Sequence, residues 1–319
     1  MADKSKIQWC DATINPAYGC SPASPGCANC YAARMAGRLG KMTEGTHRDG
    51  KWTGRINLFP ERMAQALSWK KPRRIFVGSM TDLFHPAVPY DFLDKVFACM
   101  AMARQHEFIL LTKRPSRMRE YLQSCPESWE KNKGAVAYWA NHLGGVAYLL
   151  TGSIKQDNLV EASIEGRLNG SVGWPMRHVM LMATIEDQPR ADERVPHLME
   201  LAGMGWRTGV SVEPMLGPVD LTGVEIPRAY GTCLLNALTG ELRGHGTGTS
   251  LGMTGKISWT IVGCESGQHA RAMNIEWVHN LKDQCISAGV PFFYKQSMQN
   301  GKIVHTPKLD GQNWTQFPE

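Results

Sequence analysis

The sequence predicts an α/β fold, a partial parallel (β/α)6-type barrel carrying two insertions. Short, wholly apolar runs recur along the chain, and stretches of helical periodicity fall between them. Charged and small polar residues follow the runs rather than interrupt them. Strands buried on both faces need such unalternated apolar runs, and strands alternating with helices build right-handed βαβ units.

Residues 74–78 form the first run, followed by 108–112, 178–182, 207–212, 259–263 and a shorter one at 290–294. Phe92, Leu93, Val96, Phe97 and Met100 share a helical face. So do Ile275, Val278, Leu281 and Cys285, with Asn274 placed as an N-cap and Gly289 just past the end. Residues 31–39 suit a further helix. Two segments break the alternation. Residues 124–175 are polar and glycine-containing, with Trp129, Trp139 and Trp174, and residues 227–256 are rich in glycine and threonine. Both are expected to be insertions in one domain spanning 1–319. Gly246 and Gly248 do not read as a phosphate loop, since no strand is expected before them and no helix after.

Of 319 residues, 43% are hydrophobic and 20% charged, the balance of a soluble globular protein. No apolar stretch is long enough for a transmembrane helix, and the first residues lack a signal peptide's apolar core. The expected setting is the cytoplasm, without membrane contact. The net charge of +6 suits a polyanionic partner. The densest basic cluster, residues 70–74, reads as a solvated loop entering a strand. Nine cysteines in such a chain argue against a disulfide scaffold. Cys10, Cys99, Cys125, Cys233, Cys264 and Cys285 are scattered, and Cys99 and Cys285 fit apolar helix faces.

Cys20, Cys27 and Cys30 form a C-x6-C-x2-C pattern in a loop containing Pro22, Pro25 and Gly26. Thiolates suit iron–sulfur clusters and zinc. Three cysteines leave one iron of a [4Fe–4S] cubane without a protein ligand, which is what S-adenosylmethionine (SAM) needs in order to chelate through its amino and carboxylate groups. The competing reading is a structural zinc site completed by Cys10 or His47.

With these stretches the chain resembles the phage and prophage three-cysteine-motif family, a domain of unknown function similar to radical SAM enzymes. The resemblance rests on residues 11–16 before the triad, 77–85, 111–115, 210–214, 263–267 and 292–296. The first cysteine gap is three residues longer than the usual radical SAM pattern, Asn29 stands where an aromatic is usual, and Cys264 replaces a glycine. The resemblance implies a barrel of the radical SAM kind, holding a [4Fe–4S] cluster and SAM and served by an external electron donor. Its strand-end residues would meet SAM: Gly78, Ser79, Asp82, Thr184, Glu186, Ser211, Glu213, Gly263 and Glu265. Lys113 and Arg114 would pair with the SAM carboxylate or a substrate phosphate. His85 is a candidate acid or base, weighed against a buried or capping imidazole.

The family's setting implies DNA as substrate. The reaction implied is isomerisation of an amino-acid-modified thymidine from an N-linked to a Cα-linked form. Other radical modification or repair of DNA or tRNA, and a non-catalytic metal-containing nucleic-acid-binding module, are the alternatives. For a DNA partner we expect Lys113, Arg114, Arg271 and Lys295 to ring the barrel mouth. Trp139 or Trp174 would then either stack on an extruded base or pack an insertion onto the barrel.

Overall fold

A computed structural model describes residues 5–124, 175–228, 231–267 and 269–319. The expected insertion at 124–175, with Cys125 and the three tryptophans, lies outside the described residues apart from its two ends. The remaining chain builds a mixed α/β structure around an eight-stranded sheet. Seven strands are parallel and follow one another across the sheet in chain order: β1 (Ala12–Ile14), β2 (Arg74–Val77), β3 (Glu107–Thr112), β4 (Val179–Ile185), β5 (Arg207–Val212), then β10 (Trp259–Gly263) and β11 (Phe292–Gln299). The eighth, β12 (Lys302–His305), pairs antiparallel with β11. Such stepwise order, with every crossover running the same way, curls a twisted sheet into a half-barrel.

Side-chain alternation gives this sheet two cores. Ile75, Val77, Phe108, Leu110, Val179, Leu181, Val210, Val212 and Phe292 face outward into the larger one. Helices α2 (Tyr90–Met102), α3 (Pro115–Ser124), α4 (Gln188–Gly203) and α5 (Ile275–Ser287) contribute to it. Phe76, Ile109, Met180, Met182, Trp259, Ile261 and Phe293, from five strands, meet each other and Trp9 on the concave side. Trp9 meets both Phe76 on β2 and Trp259 on β10, strands on opposite sides of the sheet, as a curled sheet allows. Trp9 stands edge-on to Trp259 at 6.3 Å, and Phe317 lies 5.5 Å from the same ring, so aromatics plug the N-terminal end. Each such ring removes a large apolar area from water, worth about 1.5–3 kcal/mol when fully buried.

The helix ends obey local chemistry. Asn274 Oδ1 accepts from the Glu276 amide at 2.9 Å, and Asp187 Oδ1 accepts from the Arg190 amide at 3.1 Å. Between β5 and β10 the chain forms an antiparallel meander: β6 (Val224–Arg228), β7 (Gly231–Asn236), β8 (Glu241–Gly244) and β9 (Ser250–Met253). Here one expectation is corrected: a strand does feed the Gly246 and Gly248 segment. The segment is the turn joining β8 to the antiparallel β9, so no helix N-terminus meets it and a phosphate loop remains ruled out. Among the described residues no helix is long and apolar enough to cross a membrane.

A cysteine-lined candidate active site

Strand register decides what reaches the mouth of the half-barrel. Thr184, Ser211, Ile261 and Phe293 lie side by side across four strands. Two residues further along each chain come Glu186, Glu213, Gly263 and Lys295, with a register shift after Val262 that sets Gly263 against Gln296. Lys113 stands two residues beyond the inward-facing Leu111. A cavity of about 200 Å³ opens there, at the C-terminal end of the sheet.

Cys20, Cys27 and Cys30 all line this cavity, and all three are free thiols. Opposite them stand Gly78, Ser79 and Asp82 after β2, Lys113 and Arg114 after β3, and Thr184 near the end of β4. Ser211 follows on β5 and Glu213 just after it, Cys264 and Glu265 after β10, and Lys295 on β11. Gly263, Glu186 and His85 do not line it. A larger groove of about 870 Å³, bounded by α4, α5 and the 218–223 loop, holds none of these residues.

The triad loop is tied to the strand ends. Ser24 Oγ donates to Glu186 Oε1 at 2.5 Å, Asn29 Nδ2 to Glu265 Oε2 at 2.9 Å, and Arg114 Nη2 to the Ser21 carbonyl at 2.9 Å. Arg271 Nη2 donates to the Pro25 carbonyl at 3.0 Å, and Arg34 Nη2 to that of Ser266 at 2.6 Å. A Cβ at Gly26 would overlap the Glu186 carboxylate, so glycine lets the loop lie this close. His85 Nδ1 accepts from the Ala87 amide at 3.1 Å, which leaves Nε2–H to donate to Ser21 Oγ at 2.7 Å. Burial, then Arg114, holds its pKa below the usual histidine value. His85 thus sits behind the cysteine loop as a neutral, doubly bonded imidazole.

The four cations expected at the mouth are there, but each is matched. Lys113 pairs with Glu186, Lys295 with Glu213, Arg114 with Asp82 at 2.8 Å, and Arg271 with Glu265 at 2.6 Å. Glu186 also meets Arg194 Nη1 at 3.1 Å and is fully buried. Burial alone would raise its pKa; Lys113 and Arg194 outweigh that and hold it below the ordinary carboxylate value. Glu265 is lowered in the same way, with burial opposed by hydrogen bonds from Arg271 and Asn29. The expectation of basic residues at the mouth did not include this pairing, which neutralises each of the four. Glu186 and Asp82 reach their partners from neighbouring strand ends and Glu213 reaches Lys295 across β10, all from far away in sequence, whereas Glu265 and Arg271 share one loop.

The donor chemistry fits a thiolate-bound cluster with a polar ligand beside it. Burial, reinforced by Asp82, pushes the Cys20 thiol up to about 12, so a thiolate there needs more positive charge nearby than Arg114 supplies. The Ser211 hydroxyl is 1% exposed, lines the cavity and has no hydrogen-bond partner among the described residues. A bound polar group would satisfy it. Zinc fits less well. The fourth ligand would come from Cys10, whose Sγ bonds Ser5 Oγ at 3.2 Å, or from His47, whose Nδ1 lies 3.2 Å from the Thr43 carbonyl. Neither lines the cavity. Among the described residues no three of His, Cys, Asp and Glu converge on one metal ion. A cubane asks less, because its ligands sit on different irons.

Sequence reasoning did not assign Ser24, Asn29, Arg34 or Cys264 to the site. The first two lie inside the triad loop and Cys264 adjoins Glu265, which was the available signal; nothing local marks Arg34.

No curated protein matches the sequence. Among solved structures, a cysteine-to-serine mutant of spore photoproduct lyase is similar at 15% identity and a TM-score of 0.36, covering 66% of this chain and 48% of that one. A cysteine-to-alanine mutant of the same enzyme, with dinucleoside spore photoproduct, gives 15% identity and 0.35 over 66% and 47%. The chain spans about half the length of those structures. Residues 4–318 match the family described as "Protein of unknown function (DUF5131)", and the chain belongs to that family.

Proposed function

We propose that this member of the DUF5131 family is a radical SAM enzyme carrying a [4Fe–4S] cluster on Cys20, Cys27 and Cys30, and that it modifies DNA. The observation that carries the reading is the meeting of three free thiols and the strand-end polar residues of a parallel half-barrel around one cavity. When bound, the cluster and SAM supply a 5′-deoxyadenosyl radical able to take hydrogen from an unactivated C–H bond.

The residues present would divide the remaining work. Asp82 is held in place by Thr112 Oγ1 at 2.7 Å and the Lys113 amide at 3.1 Å, so its carboxylate offers a fixed acceptor for the SAM ammonium. Gly78, with φ of +88°, turns the chain there, and Ser79 adds a hydroxyl. Ser211 and Thr184 supply hydroxyls on the sheet floor. Glu213, paired with Lys295, and Glu265, paired with Arg271, line the opposite wall. Lys113 can hold a substrate carboxylate or phosphate only by sharing its charge with Glu186. Glu186, Gly263 and His85 would support the site: Glu186 and His85 hold the triad loop, and the Gly263 carbonyl accepts from the Met215 amide at 3.1 Å.

The specific reaction we propose moves the methylene of an amino-acid-modified thymidine from nitrogen to the α-carbon. The α-hydrogen leaves, the methylene migrates, and a hydrogen is returned, so mass is unchanged. A duplex substrate would have to extrude the base into the cavity. The test is anaerobic incubation with reductant, SAM and phage-type modified DNA. Formation of 5′-deoxyadenosine and an isomeric nucleoside supports the reading. SAM cleavage with the nucleoside unchanged removes isomerisation, and a protein that holds no iron removes the whole assignment.

A further inference from the structure

We propose that the exposed flank of the cavity built by residues 31–58 is the surface that grips the nucleic-acid backbone, with Trp52 as the platform on which a displaced base stacks. The inference rests on the reading that the substrate is DNA, and assigns which face meets it.

This flank carries Arg34, Arg38, Lys41, Arg48, Lys51 and Arg55 against Glu44 and Asp49, so a short piece of chain holds most of a net charge of +6. All six cations are exposed. Arg34 bonds the Ser266 carbonyl and Arg55 bonds Asn57 Oδ1 at 3.2 Å; the other four are matched by no carboxylate among the described residues. The mouth cations Lys113, Arg114, Arg271 and Lys295 are already neutralised by carboxylates.

Local geometry aims the charges outward. His47–Arg48 and Lys51–Trp52 pair antiparallel across Asp49 and Gly50, whose φ values of 49° and 72° suit a type I′ turn. In that register Trp52 lies opposite His47 and Arg48 opposite Lys51. Trp52 turns inward, packing near Ala32 and Ala36 and lining the cysteine-bearing cavity. Arg48 and Lys51 therefore face solvent together. Like charges directly opposite on a hairpin are unfavourable without a counter-charge, which a phosphate backbone supplies. An aromatic ring at the edge of a cavity, flanked by unmatched cations, is the arrangement that binds single-stranded nucleic acid. The other basic cluster lies at the opposite end of the sheet, before β2. There Arg73 stacks on Trp69 at 4.4 Å and Arg74 on Phe317 at 3.9 Å, as part of the packing.

The test is anisotropy of a labelled single-stranded oligodeoxynucleotide across a salt series, using anaerobic, cluster-reconstituted protein. The Arg38→Ala/Arg48→Ala/Lys51→Ala variant should bind roughly tenfold more weakly at moderate salt. Its log–log salt slope should fall by about two, at about 0.7 for each single-strand phosphate no longer neutralised. Trp52→Leu, which keeps an apolar side chain against α1 (Tyr31–Ala36), should weaken binding with the slope unchanged. Lys70→Ala/Lys71→Ala should bind as the native protein does. Unaltered binding by the triple variant, weakening in the Lys70/Lys71 variant instead, or no binding by the native protein at low salt would each overturn the proposal. Formation of 5′-deoxyadenosine without DNA, measured on the same preparations, reports separately on the radical SAM reading.

Discussion

A buried thiol resists ionisation, and at the residue scale it is access to the cavity, not that resistance, that separates the cysteines by role. Cys99 and Cys285 are fully buried in the outer core, where desolvation pushes both thiols up to about 12, and neither lines the cavity of the triad. Cys20 is raised as far, yet it lines the cavity with Cys27 and Cys30. Reconstituted protein should therefore hold about four irons per chain. Cys27→Ala should lose most of that iron while Cys99→Ala and Cys285→Ala keep it, as iron analysis and visible absorption will show; full iron in Cys27→Ala would refute the ligand assignment. Glu186 makes a second residue-scale case. Glu186→Gln strips the buried charge partner from Arg194, which is 1% exposed, leaving it only the exposed Glu193 at 3.9 Å, and should cost about 3 kcal/mol. Lys113→Met leaves the Glu186–Arg194 pair in place and should cost about 1 kcal/mol. Urea unfolding of the two variants tests the order; equal losses would mean that Arg194 does not depend on Glu186.

At the scale of elements, legibility followed burial. The six strands expected from apolar runs are all present, because strands covered on both faces are continuous in hydrophobicity and a few such residues suffice to mark them. Strand β1, three residues ending at Asn15–Pro16, offers too little pattern, and its place in the sheet comes from pairing with β2. The meander is half-exposed, so glycine and threonine there read as an insertion without revealing its strands. Three of the four ion pairs at the mouth were hidden by sequence separation, although period two contained the clue for two of them: Lys113, Glu186, Glu213 and Lys295 each stand an even number of residues past an inward-facing side chain. Helix α5 was legible down to its cap. Asn274→Ala should lower stability by about 1 kcal/mol in chemical denaturation, and Asn274→Asp should restore most of it. No loss in the alanine variant would show that the helix end is held by its packing alone.

Across the whole molecule, the same burial that builds the half-barrel sets its response to acid. His106 is 1% exposed, with Nε2 at 2.9 Å from the Ala66 carbonyl and its ring edge-on to Trp69 and Phe108. Burial holds its pKa below the ordinary 6.5, and Arg73 adds to that. His85, 5% exposed behind the triad loop, is lowered by burial and then by Arg114 and Arg117, against Asp82. An unfolded chain protonates these histidines near 6.5, whereas the folded chain takes the protons only at lower pH. Their contribution is therefore complete above about pH 7 and is lost as pH falls through 6.5 toward the folded values, at no more than about 1.4 kcal/mol per pH unit for each. Glu186 and Glu265, both below the ordinary 4.5, add a second loss as pH falls below that value, because the folded state holds them ionised after the unfolded chain has bound protons. Urea midpoints should then be level from pH 8 to about 7, fall from there to 5, and fall further below about 4.5. His106→Phe should be less stable at pH 8 yet lose less between 7 and 5, by about one histidine's share. A variant with the native protein's full slope in that interval would show that the charge His106 avoids does not set the acid limit of the fold.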